Sequence, residues 1–156
     1  MLVRLRAVRD DDADAIFEMM RDRESIRLAA FTVADPDDRA AFDERLHRMR
    51  TSPSIAVRAV EADGVFAGTV GAFTLGGERE VTYWIRRELW GNGIATAALR
   101  LLVASEQERP LHARVAAANV GSLRVLERAG FARTGSEASF AAGTGREVEE
   151  LLLQLG

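Results

Sequence analysis

The sequence predicts an α/β fold, a mixed sheet with helices on its faces. Three observations carry that reading. First, Val81-Thr82-Tyr83-Trp84-Ile85 is a β-branched and aromatic run that favours a strand, and a glycine turn and the helix formers Ala95 to Leu102 follow it. Second, strands over Ser54–Ala62 and Val65–Leu75 are joined by Asp63-Gly64, a two-residue hairpin signal, and Gly76-Gly77 turns the chain again. Third, Leu111, Ala113 and Val115 alternate with His112 and Arg114, so a further strand follows the central helix. A strand, helix and strand in that order make a parallel pair, whereas the three preceding strands make a meander.

The remaining elements follow in chain order. Leu2 to Val8 alternates apolar and charged residues, as a half-buried strand does. Asp10, Asp11 and Asp12 then cap a helix carrying Ala13, Ile16, Phe17 and Met20 at helical spacing. Three adjacent Asp side chains do not converge on one point, so capping is preferred to a metal site. Asp35-Pro36 reads as a second helix start, with Asp35 as cap and Pro36 in the first turn, and Phe42, Leu46 and Met49 line one face. His47 falls on the charged side of that helix. The stretch from Arg23 to Val33 has weak signals and is expected to lie beside the substrate. The strand before the glycine turn is placed at Glu80–Arg86. Gly68 and Gly71 inside the second meander strand imply close backbone approach or a bulge. A short helix runs from Val120 to Ala129, and Gly130 ends it in a left-handed cap with Phe131 packing back on Leu126. Phe131–Phe140 and Glu147–Leu155 form a terminal hairpin around Gly143-Thr144-Gly145, although Leu151-Leu152-Leu153 fits a helix as well as a strand. The expected order is β-α-α-β-β-β-α-β-α-β-β.

Composition narrows the function. A chain of 156 residues suggests one domain with a substantial core. A net charge of −3 gives no global basic signature for nucleic acid. The absence of cysteine excludes disulfides, thiolate nucleophiles and Cys-based zinc sites, and it fits a reducing compartment. The start of the chain lacks an apolar signal core, and no apolar run approaches the roughly 20 residues that span a bilayer. A cytoplasmic protein without a metal centre is the expectation.

The chemistry concentrates at Trp90-Gly91-Asn92-Gly93-Ile94-Ala95-Thr96. Two glycines at a helix start leave backbone N–H groups uncovered, where the helix dipole adds partial positive charge. That is a phosphate cradle. A P-loop is excluded, because no G-x-x-x-x-G-K-S/T string is present. A dinucleotide fingerprint matches only two of its three glycines, at Gly91 and Gly93, and the turn follows a meander, not the first strand of a doubly wound sheet. A coenzyme A pyrophosphate site is the third reading.

This turn resembles the acetyl-CoA motif of the GNAT acyltransferase superfamily, whose pattern is Arg/Gln-x-x-Gly-x-Gly/Ala. Gly93 and Ala95 match the last two positions, and Trp90 stands where Arg or Gln is usual, a variant familiar in the branch resembling ribosomal-protein N-terminal acetyltransferases. Asn119-x-x-Ser122 followed by Leu123 to Phe131 resembles a second segment of that branch, and Glu80 to Ile85 resembles its strand before the glycine turn. The resemblance implies a mostly antiparallel central sheet with one splayed parallel pair and helices on both faces. It implies pantetheine bonded to strand backbone at Trp84 and Ile85, and pyrophosphate on the N–H groups of Gly91, Asn92, Gly93, Ile94, Ala95 and Thr96 behind Trp90. It further implies Asn119 on the pantetheine amides and Ser122 near the thioester sulfur.

The implied reaction is direct transfer of an acetyl group from acetyl-CoA to a primary amine, either a peptide N-terminus or a small molecule. The amine must lose a proton to attack, and a carboxylate can take it. Glu80 is the candidate by motif position, with an exposed strand-edge Glu as the alternative. Many members carry a Tyr four residues before the final Gly, which here is Leu126, so Ser122 is the candidate donor to the leaving thiolate; capping or packing in the first turn of its helix is the bland reading. Arg124 and Arg128 sit where a 3′-phosphate would be met, or form a solvated helix face. The rival class is a non-catalytic acyl-CoA-binding module of the same fold, distinguished by Glu80 and Ser122. A dinucleotide-dependent oxidoreductase is the distant alternative. A sheet edge offers a route to dimerisation.

Overall fold

The computed structural model describes residues 1–156. Seven strands form one sheet: β1 (Val3–Ala7), β2 (Ala56–Ala62), β3 (Val65–Leu75), β4 (Glu78–Ile85), β5 (Leu111–Ala116), β6 (Ala132–Ala141) and β7 (Arg146–Leu155). Their order across the sheet is β1-β2-β3-β4-β5-β7-β6. Every neighbouring pair is antiparallel except β4 and β5. Five helices surround it: α1 (Ala13–Met20), α2 (Arg23–Ala29), α3 (Arg39–Thr51), α4 (Ile94–Ser105) and α5 (Val120–Arg128). No helix is long and apolar enough to cross a membrane.

Each strand divides its side chains between two faces. Val81, Ile85, Leu111, Ala113, Val115, Leu151 and Leu153 point to one face and join Ile94, Leu99 and Leu102 of α4 and Leu123 and Leu126 of α5 in a 19-residue core. The alternation of buried Leu151 and Leu153 settles the last segment as a strand. The opposite face carries a smaller cluster of Ile16, Phe17 and Met19 from α1 and Phe42 and Leu46 from α3, packed on β2. The predicted left-handed cap is present, with Gly130 at φ +102° and the Phe131 amide donating to Leu126 O at 3.0 Å.

Three local expectations are corrected. Arg23–Ala29 is a helix, α2, capped by Asp22, which accepts from the Ser25 amide at 3.0 Å. A seven-residue helix spans only about two turns, short of the roughly 11–18 residues over which helical periodicity is read. The next helix starts at Arg39, after Asp35-Pro36: Asp38 is its cap, accepting from the Ala41 amide, while Asp35 accepts from the Asp37 amide in a separate turn. The three aspartates at 10–12 form a 3-10 turn and point to different partners. Asp12 takes both Arg6 nitrogens at 2.7 and 2.8 Å and the Arg9 amide, Asp10 pairs with Arg50, and Asp11 lies 3.4 Å from Arg9. The bidentate bonds from Arg6 hold the Asp12 carboxyl below the usual carboxylate range.

Candidate functional site

The site begins where β4 and β5 part. They pair only at Arg79 with Leu111 and Glu80 with His112, and beyond those residues the strands diverge. A gap therefore opens beside Val81 to Ile85, with strand backbone on its wall. Successive residues direct their N–H and C=O groups to opposite sides of a strand. The Arg86 amide donates to Ala67 O on β3, and Trp84 O lies so close to Gly68 that a side chain there would collide with it. Trp84 thus turns its backbone toward β3, and Tyr83 and Ile85 turn theirs toward the gap. The Trp84 indole points the other way and donates to Met19 O at 3.1 Å.

Trp90 has a definite task. Its indole N–H donates to Ile85 O at 2.8 Å, which ties the glycine turn to the end of β4. Asn92 braces the same turn by donating to Leu89 O at 3.0 Å. Gly91 and Gly93 adopt φ of +82° and +77°, which favour glycine, and a Cβ at either would meet nothing within 4 Å. Gly93 is the N-cap of α4 and brings no side chain to it, so the first-turn N–H groups, from Ile94 onward, face outward without a cap. Open space, bare N–H groups and a 12-residue helix behind them fit a pyrophosphate.

Across the gap stands α5. Asn119 is its N-cap and accepts from the Ser122 amide at 3.3 Å. The Ser122 hydroxyl is bonded to the Tyr83 hydroxyl, which also lies 3.4 Å from Ser122 O. Burial pushes the Tyr83 phenol up to about 12, against the opposing influence of Ser122. Leu126 is 2% exposed and belongs to the core. Arg124 and Arg128 are exposed, and the Arg128 carbonyl accepts from Arg100.

On the other face, Glu80 is only 3% exposed and accepts from Arg114 Nε at 3.2 Å, so the strand-edge alternative does not hold. Arg114 also reaches Glu137 of β6 at 2.5 Å and Glu150 of β7 at 3.5 Å. Burial works against the Arg114 guanidinium, but Glu137 and Glu80 outweigh it and hold its pKa above the ordinary arginine value. Burial raises the Glu150 carboxyl. His112 Nδ1 lies 3.6 Å from Glu78 Oε2, and one polar atom from each of Glu78, Glu80 and His112 falls within 4.8 Å of the others. Farther along β5, a cavity of about 620 Å³ is bounded by Arg27, Leu28 and Ala30 of the α2 region, Ala116 to Ala118, and the β6–β7 turn. Part of the weak-signal stretch thus lines a cavity at the end of β5.

Sequence reasoning missed Tyr83 and Arg114 as members of the site. The signal for Tyr83 was present, since a tyrosine among core-facing strand positions needs a partner for its hydroxyl. No local signal marks Arg114, whose partners come from three other strands.

The sequence model of the acetyltransferase (GNAT) domain matches residues 3–132. The chain belongs to the GNAT acetyltransferase family. It is accordingly an acyl-CoA-dependent N-acetyltransferase, with acetyl-CoA as donor. Among solved structures, RimJ of Mycobacterium smegmatis in complex with CoA-disulfide is 25% identical, with a TM-score of 0.82 over 98% of this chain and 81% of that one. A ribosomal-protein-alanine N-acetyltransferase from Brucella melitensis is 21% identical, with a TM-score of 0.79 over 99% of this chain and 98% of that one. Spermidine N-acetyltransferase from Vibrio cholerae, in complex with CoA and spermine, is 18% identical, with a TM-score of 0.80 over 97% and 95%. The first two are consistent with the branch that the motifs resemble. No curated protein matches this sequence.

Proposed function

We propose that residues 1–156 form a single acetyltransferase domain that moves the acetyl group of acetyl-CoA directly to a primary amine, with a protein N-terminal α-amine as the first acceptor class. One observation carries this reading. A buried carboxylate, Glu80, and a hydroxyl, Ser122, flank the β4–β5 opening from opposite faces of the sheet. That arrangement suits direct transfer: the carboxylate meets the amine on the acceptor side, and the hydroxyl meets the sulfur on the cofactor side.

The chain's own groups then have separate tasks. The N–H groups from Gly91 to Thr96 hold the pyrophosphate, with Trp90 and Asn92 fixing the turn. Backbone at Ile85, beside Trp84, and the Asn119 side chain orient pantetheine in the gap. The thioester supplies the activated acetyl group. Glu80 takes the ammonium proton, the amine nitrogen forms its bond to the carbonyl carbon, the C–S electron pair goes to sulfur facing the Ser122 hydroxyl, and the second proton that nitrogen sheds as the amide forms goes to the leaving thiolate. Arg114 fixes the position of the Glu80 carboxylate.

A small-molecule amine is the second acceptor class. Arg114 faces three carboxylates, so that face carries an excess of negative charge suited to a cationic amine. The cavity at α2 and the β6–β7 turn gives such a molecule room.

Glu80→Gln tests the assignment. Turnover is expected to fall about 10²- to 10⁴-fold, the worth of a positioned general base, with acetyl-CoA affinity by calorimetry nearly unchanged. Equal turnover in the variant removes Glu80 as base. An acceptor panel of alanine-initiated peptides and spermidine, read by thiol release, decides between the two amine classes.

A further inference from the structure

We propose that Tyr83 is a positioning residue for acyl transfer: its phenolic O–H donates to Ser122 Oγ and leaves the Ser122 proton free to face the thioester sulfur in the β4–β5 gap. This rests on the reading of Ser122 given above.

Three features lead to it. Tyr83 is the only tyrosine in the chain, and it lies on β4 where that strand has already parted from β5. Its ring packs against the 19-residue core, and its hydroxyl reaches across to the first turn of α5. Ser122 therefore departs from the habit of a first-turn serine, whose hydroxyl usually bonds to nearby backbone. That local task is performed by Asn119, which accepts from the Ser122 amide and leaves the Ser122 hydroxyl to the phenol.

The direction of the bond follows from the protons available. The two hydroxyls hold two protons, and one serves the bond between them. A phenol is a stronger donor than an alkyl hydroxyl, it keeps its proton near neutrality with its pKa pushed up to about 12, and its other acceptor, Ser122 O at 3.4 Å, is farther away than Ser122 Oγ. Tyr83 as donor fills a lone pair on Ser122 Oγ and sends the serine proton outward. The polarised serine is then a better donor to the charge that grows on sulfur. In the step itself the C–N bond forms, the C–S bond breaks with its electrons on sulfur, the ammonium proton rests on Glu80, and the second nitrogen proton passes to the departing thiolate. Tyr83 and Ser122 stabilise the thiolate by hydrogen bonds and neither needs to be left ionised.

The test is a double-mutant cycle of Tyr83→Phe and Ser122→Ala, with a spectroscopic companion. Thiol release from acetyl-CoA is followed with spermidine and with an alanine-initiated peptide, and with water as acceptor where neither amine reacts. Each single variant is expected to lower kcat about five- to tenfold, the worth of one hydrogen bond, at an unchanged KM for acetyl-CoA. The double variant is expected to lose no more than the larger single one. In protein labelled with [13Cζ]tyrosine, the single tyrosine gives a single resonance, and it is expected to move in Ser122→Ala. If Ser122→Ala lowers kcat while Tyr83→Phe matches the wild type, the role of Tyr83 falls and that of Ser122 stands. If Ser122→Ala keeps full turnover, the Ser122 reading fails and takes this inference with it. Additive losses, or a resonance that Ser122→Ala leaves in place, also overturn it.

Discussion

On one face of the sheet, Val81, Ile85, Leu111, Ala113 and Val115 enter an apolar core beneath α4 and α5. On the other, Glu80, His112 and Arg114 take the alternate positions of the same two strands, joined by Glu150 of β7 and Glu137 of β6. The first face is held by burial, which has no direction. It presents its chemistry through backbone: bare N–H groups behind Gly93 and strand edges left open in the gap. At β4 and β5 the second face is held by ion pairs, which depend on direction, beside the smaller apolar cluster over β2. A site made of backbone needs only small residues at fixed spacing. A site made of charged side chains needs several strands in register at once.

The largest effect is expected where the apolar face is broken. Leu99, with 0% exposure, sits at the centre of the larger core. Leu99→Ala should cost about 2–5 kcal/mol, or roughly 5–20 °C in melting temperature. Both faces depend on that core, so a thermal melt should remain one cooperative transition.

Arg114→Met comes next and tests the charged face alone. It leaves the buried Glu80 and Glu150 carboxylates without their cation. The guanidinium is itself partly exposed, so the loss should stay near about 1–3 kcal/mol. Adding Glu150→Gln should recover part of it, and coenzyme A affinity by calorimetry should be unchanged in both variants.

Gly93→Ala should do the reverse. It places a Cβ at φ +77°, a left-handed conformation that costs about 1–2 kcal/mol outside glycine. The unliganded variant is expected to relax away from this φ, so that coenzyme A must restore it and its affinity falls by up to about 5- to 30-fold, with the KM for the amine unchanged. A weakened amine KM would show that the two faces are coupled.

The smallest effects are in pH dependence and have opposite signs. The Asp12 carboxyl is lowered by Arg6, so its contribution is present above the unfolded aspartate value of about 3.9 and is lost as pH falls below it. Asp12→Asn should thus melt below the wild type at neutral pH, and the gap should close in acid. Glu150 is raised by burial, so its ionised form counts against folding at neutral pH, and stability is regained as pH falls through the raised value. Glu150→Gln should melt at or above the wild type at neutral pH, and that advantage should vanish in acid.

The same contrast explains what was legible. The proposed cofactor side draws on Trp90 to Thr96 and Asn119-x-x-Ser122, which stand out in the sequence because they are neighbours in the chain and their types follow from backbone geometry. The β2–β3 hairpin at Asp63-Gly64 and the close approach at Gly68 were readable for the same reason. The start of α3 was misplaced because Asp35 and Asp38 are both competent caps, and packing of Phe42 and Leu46 chose between them. The acceptor side was readable only at Glu80. Arg114 is 34 positions from Glu80 and 36 from Glu150, and no local pattern joins residues at that distance.

By itself, then, the sequence determined the element types other than α2 and β7, the meander, the parallel crossover and the glycine turn, because each depends on propensity, period and turn chemistry within a few residues. Only the tertiary structure decided which strand backbone faces the gap, that Trp90 closes the turn onto Ile85, that Tyr83 reaches Ser122, and that Arg114 gathers three carboxylates. Those contacts follow from sheet order and register, which fix the facing of every side chain at once and are set by the whole core together.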